Sequence, residues 1–307
     1  MSAIDPFARS PLIPEFTDYA AFAGRCVGLS GGRGLLGSLA AARLAAHGIE
    51  VAAYPGDVND EATVAAWFER QHCSHFLHFA AKVPVSQVDA DPLLAFQTNV
   101  IGSFNVCKQL TRTQHDCWFF QCSTSHVYEP TAQPQQIAED APTNPPGYYG
   151  ATKLAAECVV DTLMRRLGAR YCIGRVFSYT HARQRLPYLV PSLRQRIAEL
   201  PPGATLEIDN PSAVRDILDA EQVIDAVLQL ARRGATGTVN IGTGVGVSVG
   251  DIARAVGRSL GRTITVGGTD HASGGALVAD TARLRRLLAG DAATGNVAAG
   301  DAAAGER

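Results

Sequence analysis

The sequence predicts an α/β fold: a Rossmann-like, doubly wound parallel sheet with a smaller C-terminal substrate-binding α/β region. Two observations predict it. Short apolar runs alternate with helix-length segments through residues 25–177, and the first run breaks into the glycine-rich turn SGGRGLLGS (30–38). Strands covered on both faces read as continuous apolar runs, and regular βα alternation builds a parallel sheet.

The elements follow in order. RCVGLS (25–30) is a strand, and LLGSLAAARLAAHG (35–48) is a helix with Gly48 as its stop. IEVAAY (49–54) is a strand, ATVAAWFERQ (62–71) a helix and SHFLHFAA (74–81) a strand. Residues 92–114 read as one long helix, CWFFQCST (117–124) as a strand, 147–168 as a helix and ARYCIGRVF (169–177) as a strand. Beyond 178 the alternation loosens. TLEID (205–209) is a strand, 220–234 a helix, TVNIG (238–242) a strand, and 248–261 and 279–290 are helices. The predicted organisation is therefore an N-terminal arm (1–23) and a dinucleotide-binding domain (24–177, with 217–242 returning to it). A substrate-binding domain (178–216 and 243–288) and a disordered Ala/Gly-rich tail (289–307) complete it.

Composition narrows the function. The chain has 307 residues, 46% hydrophobic and 18% charged, enough apolar matter for a core. A net charge of −2 gives no electrostatic case for nucleic acid or an anionic membrane. No apolar run is long enough to span a bilayer, and the N-terminus lacks a signal-peptide pattern. Seven Cys without CxxC or Cys/His metal spacing predict reduced thiols in a cytoplasmic protein, and no metal site.

The glycine turn predicts a cofactor. Gly32-x-Gly34-x-x-Gly37 and Gly31-x-x-Gly34-x-x-Gly37 both satisfy dinucleotide spacings. Such glycines let backbone approach a pyrophosphate that faces the next helix's N-terminus. The second strand ends Ala53-Tyr54-Pro55 without the acid that usually holds a ribose in NAD binders. Asp57, 20 residues after Gly37, either takes that role or lies one loop on, against the adenine. Arg33 either faces a 2′-phosphate or is solvated, and the balance favours NADP, with NAD the alternative.

The stretch GYYGATKLAAE (147–157) carries the chemistry. Only three of 27 basic residues are Lys, and Lys153 stands four after Tyr149, on the same helical face. A neighbouring ammonium lowers a phenol's pKa toward the usable range, and its compact head can hold ribose hydroxyls.

Together the glycine turn and YxxxK resemble the short-chain dehydrogenase/reductase superfamily. HFAAKV (78–83), TNVIGS (98–103), CSTSHVYEP (122–130), RVFSYTHARQ (175–184) and AVRDILDA (213–220) resemble motifs of its extended, epimerase/dehydratase branch, over about residues 24–288. The resemblance implies Thr124, Tyr149 and Lys153 as catalytic residues. It implies a cofactor site of Gly31, Arg33, Gly34, Leu35, Leu36, Gly37, Asp57, Val58, Ala80, Ala81, Lys82, Asn99, Val176 and Phe177. Substrate would meet Ser125, His126, Ser178, His181, Arg183 and Arg215, the last on a nucleotide diphosphate. It also implies a homodimer through helices 92–114 and 147–168.

Departures narrow the reaction. The 4,6-dehydratases of the branch carry Asp-Glu after the catalytic Thr; here the pair is Ser125-His126, which disfavours dehydration. His126 and Arg183 replace the Cys and His that act in GDP-fucose synthases. Ser178 replaces the usual Asn that grips the nucleotide sugar, and His181 a Gly. The remaining reading is NADP(H)-dependent reduction of a nucleotide-activated 4-keto-6-deoxy sugar, resembling the GDP-4-keto-6-deoxymannose reductases. A nucleotide-sugar 4-epimerase holding NAD and a ketoreductase of a non-sugar product are the alternatives.

Overall fold

A computed structural model describes residues 5–271 and 275–290. Six parallel strands form the central sheet. The first half runs β1 (Cys26–Ser30), α1 (Leu35–Ala46), β2 (Glu50–Ala53), α2 (Glu61–Arg70), β3 (His75–His78), α3 (Val85–Ala90), α4 (Pro92–Phe96), α5 (Gly102–Thr113) and β4 (Trp118–Thr124). Then come β5 (Gln136–Ile137), α6 (Tyr148–Arg166), β6 (Tyr171–Val176), β7 (Ser178–Thr180), α7 (Leu189–Glu199), β8 (Thr205–Glu207), β9 (Val214–Arg215) and β10 (Ile217–Asp219). The chain closes with α8 (Ala220–Arg232), β11 (Gly237–Ile241), β12 (Val247–Ser248), α9 (Val249–Ser259), β13 (Thr265–Gly267), β14 (Ala276–Ala279) and α10 (Ala282–Ala289).

The sheet order is β2-β1-β3-β4-β6-β11, and every pairing is parallel. The direction of winding reverses between β1 and β3. In open parallel sheets that switch point opens a crevice at the strands' C-terminal ends. Strands β3 and β4 are almost wholly buried, as their unbroken apolar runs require (Phe76, Leu77, Trp118, Phe119, Phe120). Helix α8 is buried along most of its length beneath the sheet, and β11 returns to the sheet's edge beside β6.

Four features depart from the sequence reading. Residues 92–114 are not one regular helix: α4 and α5 are joined by a π-helical segment, Gln97–Ile101. That widened turn carries Asn99, whose side chain accepts from the Lys82 backbone N–H at 2.7 Å and donates to Thr152 Oγ1 at 3.0 Å. Second, the N-terminal arm is core. Ile13, Phe16, Tyr19 and Phe22 pack in the same cluster as β1, α1 and α8. Fully buried Asp225 of α8 accepts from Arg9, from Arg43 and from the Phe16 backbone N–H.

Third, the segment 279–290 is shared between the end of β14 and α10, because Ala276–Ala279 alternates into a small sheet with β9 and β5. Helix α10 then packs Leu284 against the central-sheet core and not among the substrate-side elements. Fourth, α3, α7 and the short strands β5, β7, β9, β10, β12 and β13 have no counterpart in the sequence reading. Helices α7 and α9 with β8 and β13 enclose a separate apolar cluster around Leu193, Ile197, Leu206, Ile252 and Val256. This is the smaller region. Most of the tail, 291–307, lies outside the described residues.

Candidate active site

One large cleft, about 2020 Å³, runs from the β1–α1 turn across the strand ends to the smaller region. That is roughly twice the upper end for an ordinary small-molecule pocket, room for a dinucleotide and a second ligand together.

Its floor at one end is the glycine turn. Gly31 has φ +73, and a Cβ there would meet the Ala80 backbone N at 2.6 Å. A Cβ on Gly37 would strike the Gly31 carbonyl oxygen at 2.3 Å. The turn is therefore possible only with glycine, and it presses α1 against the strand ends. Gly34 caps α1 without a side-chain cap, so the first-turn N–H groups of Leu35, Leu36 and Gly37 have no intrahelical acceptor. A helix N-terminus of this kind attracts a pyrophosphate. Arg33 is exposed and lines the cleft, as do Ala53, Tyr54 and Pro55 at the end of β2. Asp57, Val58, Ala80, Ala81 and Lys82 complete this wall, and the Asp57 carboxylate accepts from the Asn59 N–H.

At the other end the strand tips of β4 and β6 present Thr124, Val176 and Phe177, and the first turns of α6 present Tyr149 and Lys153. Helix α6 can lie this close because Gly150 faces the His126 carbonyl; a Cβ there would sit 2.0 Å from that oxygen. Tyr149 is half-buried, whereas Tyr148, one residue earlier, is 59% exposed. Lys153 is buried and donates from Nζ to the Cys122 carbonyl at 2.6 Å.

The electrostatics correct one expectation. Lys153 does not bring the Tyr149 phenol down. Burial pushes that phenol up, with the nearby Cys122 thiol adding to the rise, and a hydrogen bond from the Thr124 side chain only partly offsets it. Burial also lowers the Lys153 ammonium's pKa. The phenol is thus firmly protonated at neutral pH, a donor in wait.

The remaining residues divide. Ser178, Arg183 and Arg215 line the cleft, and so does His126. Arg215 donates to the Val214 and Gly275 carbonyls; its neighbour Asp216, fully buried, accepts from Thr243, Gly244 and Ala279 and anchors that strand. His181 is not in the cleft wall: its ring faces Glu221 at 3.8 Å. Arg183 donates to Ser38 Oγ on α1 at 3.1 Å, which ties it to the glycine-turn end and away from the expected substrate end. Ser125 and Asn99 are buried behind the wall and position its residues without lining it.

Sequence reasoning missed two groups. Tyr179 of β7, Tyr188 of the β7–α7 connection and Leu189 and Val190 at the start of α7 line the cleft. A three-residue strand and an irregular connection left no periodic signal. The other is the buried pair of Arg175 and Glu157: Arg175 donates to Glu157 through Nε and Nη2 and to Tyr128 Oη at 2.7 Å. Glu157 stands four residues after Lys153, a spacing that could have drawn attention to it. Among the described residues no cluster of three metal-ligating side chains occurs, and no helix is long and apolar enough to cross a membrane.

A parallel sheet with a glycine turn at its switch point, and a Thr–Tyr–Lys set at the neighbouring strand ends, defines the class of extended short-chain dehydrogenase/reductase enzymes. The particular family follows from comparison. The family model described as GDP-mannose 4,6 dehydratase matches residues 37–296, and the chain belongs to that family. A UDP-glucose 4-epimerase of Halalkalibacterium halodurans is 25% identical over 261 residues, covering 78% of this chain and 77% of its own. A GDP-6-deoxy-D-mannose reductase of Pseudomonas aeruginosa is 28% identical over 167 residues, covering 53% and 55%. Among solved structures, RMD from Pseudomonas aeruginosa complexed with NADPH superposes with a TM-score of 0.77 at 21% identity, covering 86% of this chain and 92% of that one. A dTDP-glucose 4,6-dehydratase of Mycolicibacterium smegmatis is 29% identical over 138 residues, covering 43% and 40%, so the relatives divide among epimerisation, reduction and dehydration.

Proposed function

We propose that the protein reduces a keto group on a nucleotide-activated 4-keto-6-deoxy sugar with NADP(H). The observation that carries this reading is the proton inventory of the reacting end. Thr124, Tyr149 and His126 meet there, and the only acids among the described cleft-lining residues are Asp57 and Asp89, which come from the β2–α2 connection and α3. Eliminating water from a sugar requires an acid and a base flanking the departing hydroxyl. A single protonated phenol beside a hydroxyl suits addition of one proton to one carbonyl oxygen.

The residues fit a nicotinamide dinucleotide. The glycine turn and the free N–H groups of α1 would hold the pyrophosphate, Lys153 the ribose, and Val176 and Phe177 the nicotinamide face. When bound, that group supplies the hydride. Thr124 and Tyr149 hold the substrate oxygen, and Tyr149 gives it a proton from its hydroxyl. The Cys122 carbonyl fixes the Lys153 ammonium for that ribose contact. Arg215 lines the cleft and would take the diphosphate. Arg33 would meet a 2′-phosphate there and so favour NADP over NAD. Solved structures of this fold are complexed with NADPH or with NAD, which supports a nicotinamide dinucleotide.

Two copies pair through α4–α5 and the start of α6, where Leu93, Phe96, Ile101, Phe104 and Tyr148 stand exposed in spite of their apolar bulk.

The test is a coenzyme-oxidation screen of GDP-, dTDP-, CDP- and UDP-linked keto sugars with NADPH and NADH side by side. Stoichiometric NADPH loss with alcohol product supports reduction. Conversion of a UDP-hexose to its 4-epimer without net coenzyme loss would replace this reading with epimerisation.

A further inference from the structure

His126 stands where the reaction itself has no assigned work for it. Its ring lines the cleft and meets the Tyr149 ring edge-on, with centroids 5.4 Å apart. Its Nδ1 lies 3.1 Å from Thr124 Oγ1, and its backbone N–H also donates to that oxygen, at 3.3 Å. Thr124 ends β4 and caps the short 3-10 turn Ser125–Val127, so both contacts are built by the same turn.

The Thr124 hydroxyl has one proton to give. If it gives that proton to Nδ1, it has none for a substrate oxygen. If Nδ1 carries the proton and donates, Thr124 receives two bonds, and its own proton turns outward to the place where Tyr149 also points. We propose that His126 is a positioning residue: the neutral Nδ1–H tautomer orients the Thr124 hydroxyl as a donor to the reacting oxygen and leaves Nε2 as a bare acceptor in the cleft. Among the described residues Nε2 has no hydrogen-bond partner of its own. Burial, with the Arg215 charge adding to it, brings the ring down to about 4, so it is neutral at working pH. The cleft therefore offers a substrate hydroxyl a neutral acceptor next to the reacting carbonyl. This deepens the reading of the site as a carbonyl reductase and rests on it for the role of Thr124.

Two measurements test it. The first needs no substrate: long-range nitrogen NMR on histidine-labelled protein at pH 7, the His126 signal identified by its loss in His126→Asn. A neutral ring with the proton on Nδ1 is expected; a proton on Nε2, or an imidazolium, overturns the proposal. The second compares variants on whichever keto substrate is turned over. In His126→Asn the amide nitrogen occupies the place of Nδ1, and kcat should stay within about threefold. His126→Gln carries its amide one atom farther, and His126→Ala carries none. Both should lose kcat by roughly tenfold to a hundredfold, the scale of a misplaced reacting group, with KM moving less. Equal losses in Asn and Ala would refute the positioning role even where all variants fold. A failed substrate screen would sink the assignment of reaction and leave the tautomer result standing, so the two failures are distinguishable.

Discussion

Replacing Glu157 by Gln should damage the protein more than its distance from the cleft suggests. Glu157 is 4% exposed and Arg175 is 7% exposed. The carboxylate accepts from Arg175 Nε at 3.1 Å on each oxygen, from Nη2 at 2.7 Å, and from the Ser123 hydroxyl. Burial opposes the Arg175 charge, yet the bonds and charge of Glu157 outweigh it and hold its pKa above the usual value. Replacing the carboxylate by an amide leaves a buried guanidinium with no counter-charge from Glu157 and one acceptor oxygen fewer, beside Tyr128 Oη and the Glu139 carbonyl. Breaking a buried pair from one side costs about 3–5 kcal/mol. Because Ser123 and Arg175 belong to β4 and β6, the same change loosens α6 against the two strands that carry Thr124 and Val176. Urea unfolding of Glu157→Gln, Arg175→Met and the double variant measures this. Each single should lose about 3 kcal/mol or more, and the double should lose clearly less than their sum, because no charge is left stranded. Additive losses, or a Glu157→Gln loss under about 1 kcal/mol, would refute the account.

Other predictions are simpler. Tyr149→Phe should lower kcat by about 10²–10⁴, the usual worth of a positioned proton donor, while dinucleotide titration by fluorescence stays near wild type. Arg33→Ser should weaken NADPH far more than NADH in parallel KM measurements. Acid should destabilise the fold early. His75 and His78 are buried neutral, brought down by burial to about 4 and about 3, while the unfolded chain protonates them near 6.5. The unfolded state binds the extra protons, so stability falls as pH drops from about 6.5 toward 4, by up to about 1.4 kcal/mol per pH unit for each ring. His78→Gln should flatten that slope in urea midpoints taken across the range. Phe96→Glu with Phe104→Glu should shift the protein from dimer to monomer in sedimentation without loss of helicity.

Legibility in the sequence tracked periodicity and glycine. The central strand β4 was readable because burial on both faces writes an unbroken apolar run, Trp118–Phe119–Phe120, and the others by their place in the βα alternation, since edge strand β2 is only partly buried. Gly31 and Gly37 were readable because no other residue fits the turn. The strands of the smaller region are two to four residues long, too short for a period to register. His181 shows the limit of motif alignment. Its position in RVFSYTHARQ suggested a substrate contact, but the ring lies 3.8 Å from Glu221 of α8, 40 residues away in sequence, and does not line the cleft. Residues 1–23 read only as an extra arm before the first strand, because Ile13, Phe16, Tyr19 and Phe22 belong to no strand or long helix whose period would mark them. They are an apolar stripe laid over α1 and α8, pinned by Asp225.

The pairing of Tyr149 and Lys153 was legible as geometry but not as electrostatics. A helical i, i+4 spacing puts both on one face, and there the sequence argument assigns the ammonium the task of acidifying the phenol. In the folded protein both groups are desolvated, which disfavours phenolate and ammonium alike, and Lys153 directs its proton to the Cys122 carbonyl. Desolvation wins over attraction until something charged or polar enters the cleft. A phenol held protonated is suited to giving its proton to a carbonyl oxygen and poorly suited to taking one from an alcohol. The bias therefore favours reduction over oxidation, and it predicts that the reverse reaction rises with pH well above neutrality while the forward one stays flat. A forward rate that climbs with the same alkaline dependence, measured at saturating substrate, would mean that the phenolate and not the phenol is the working form.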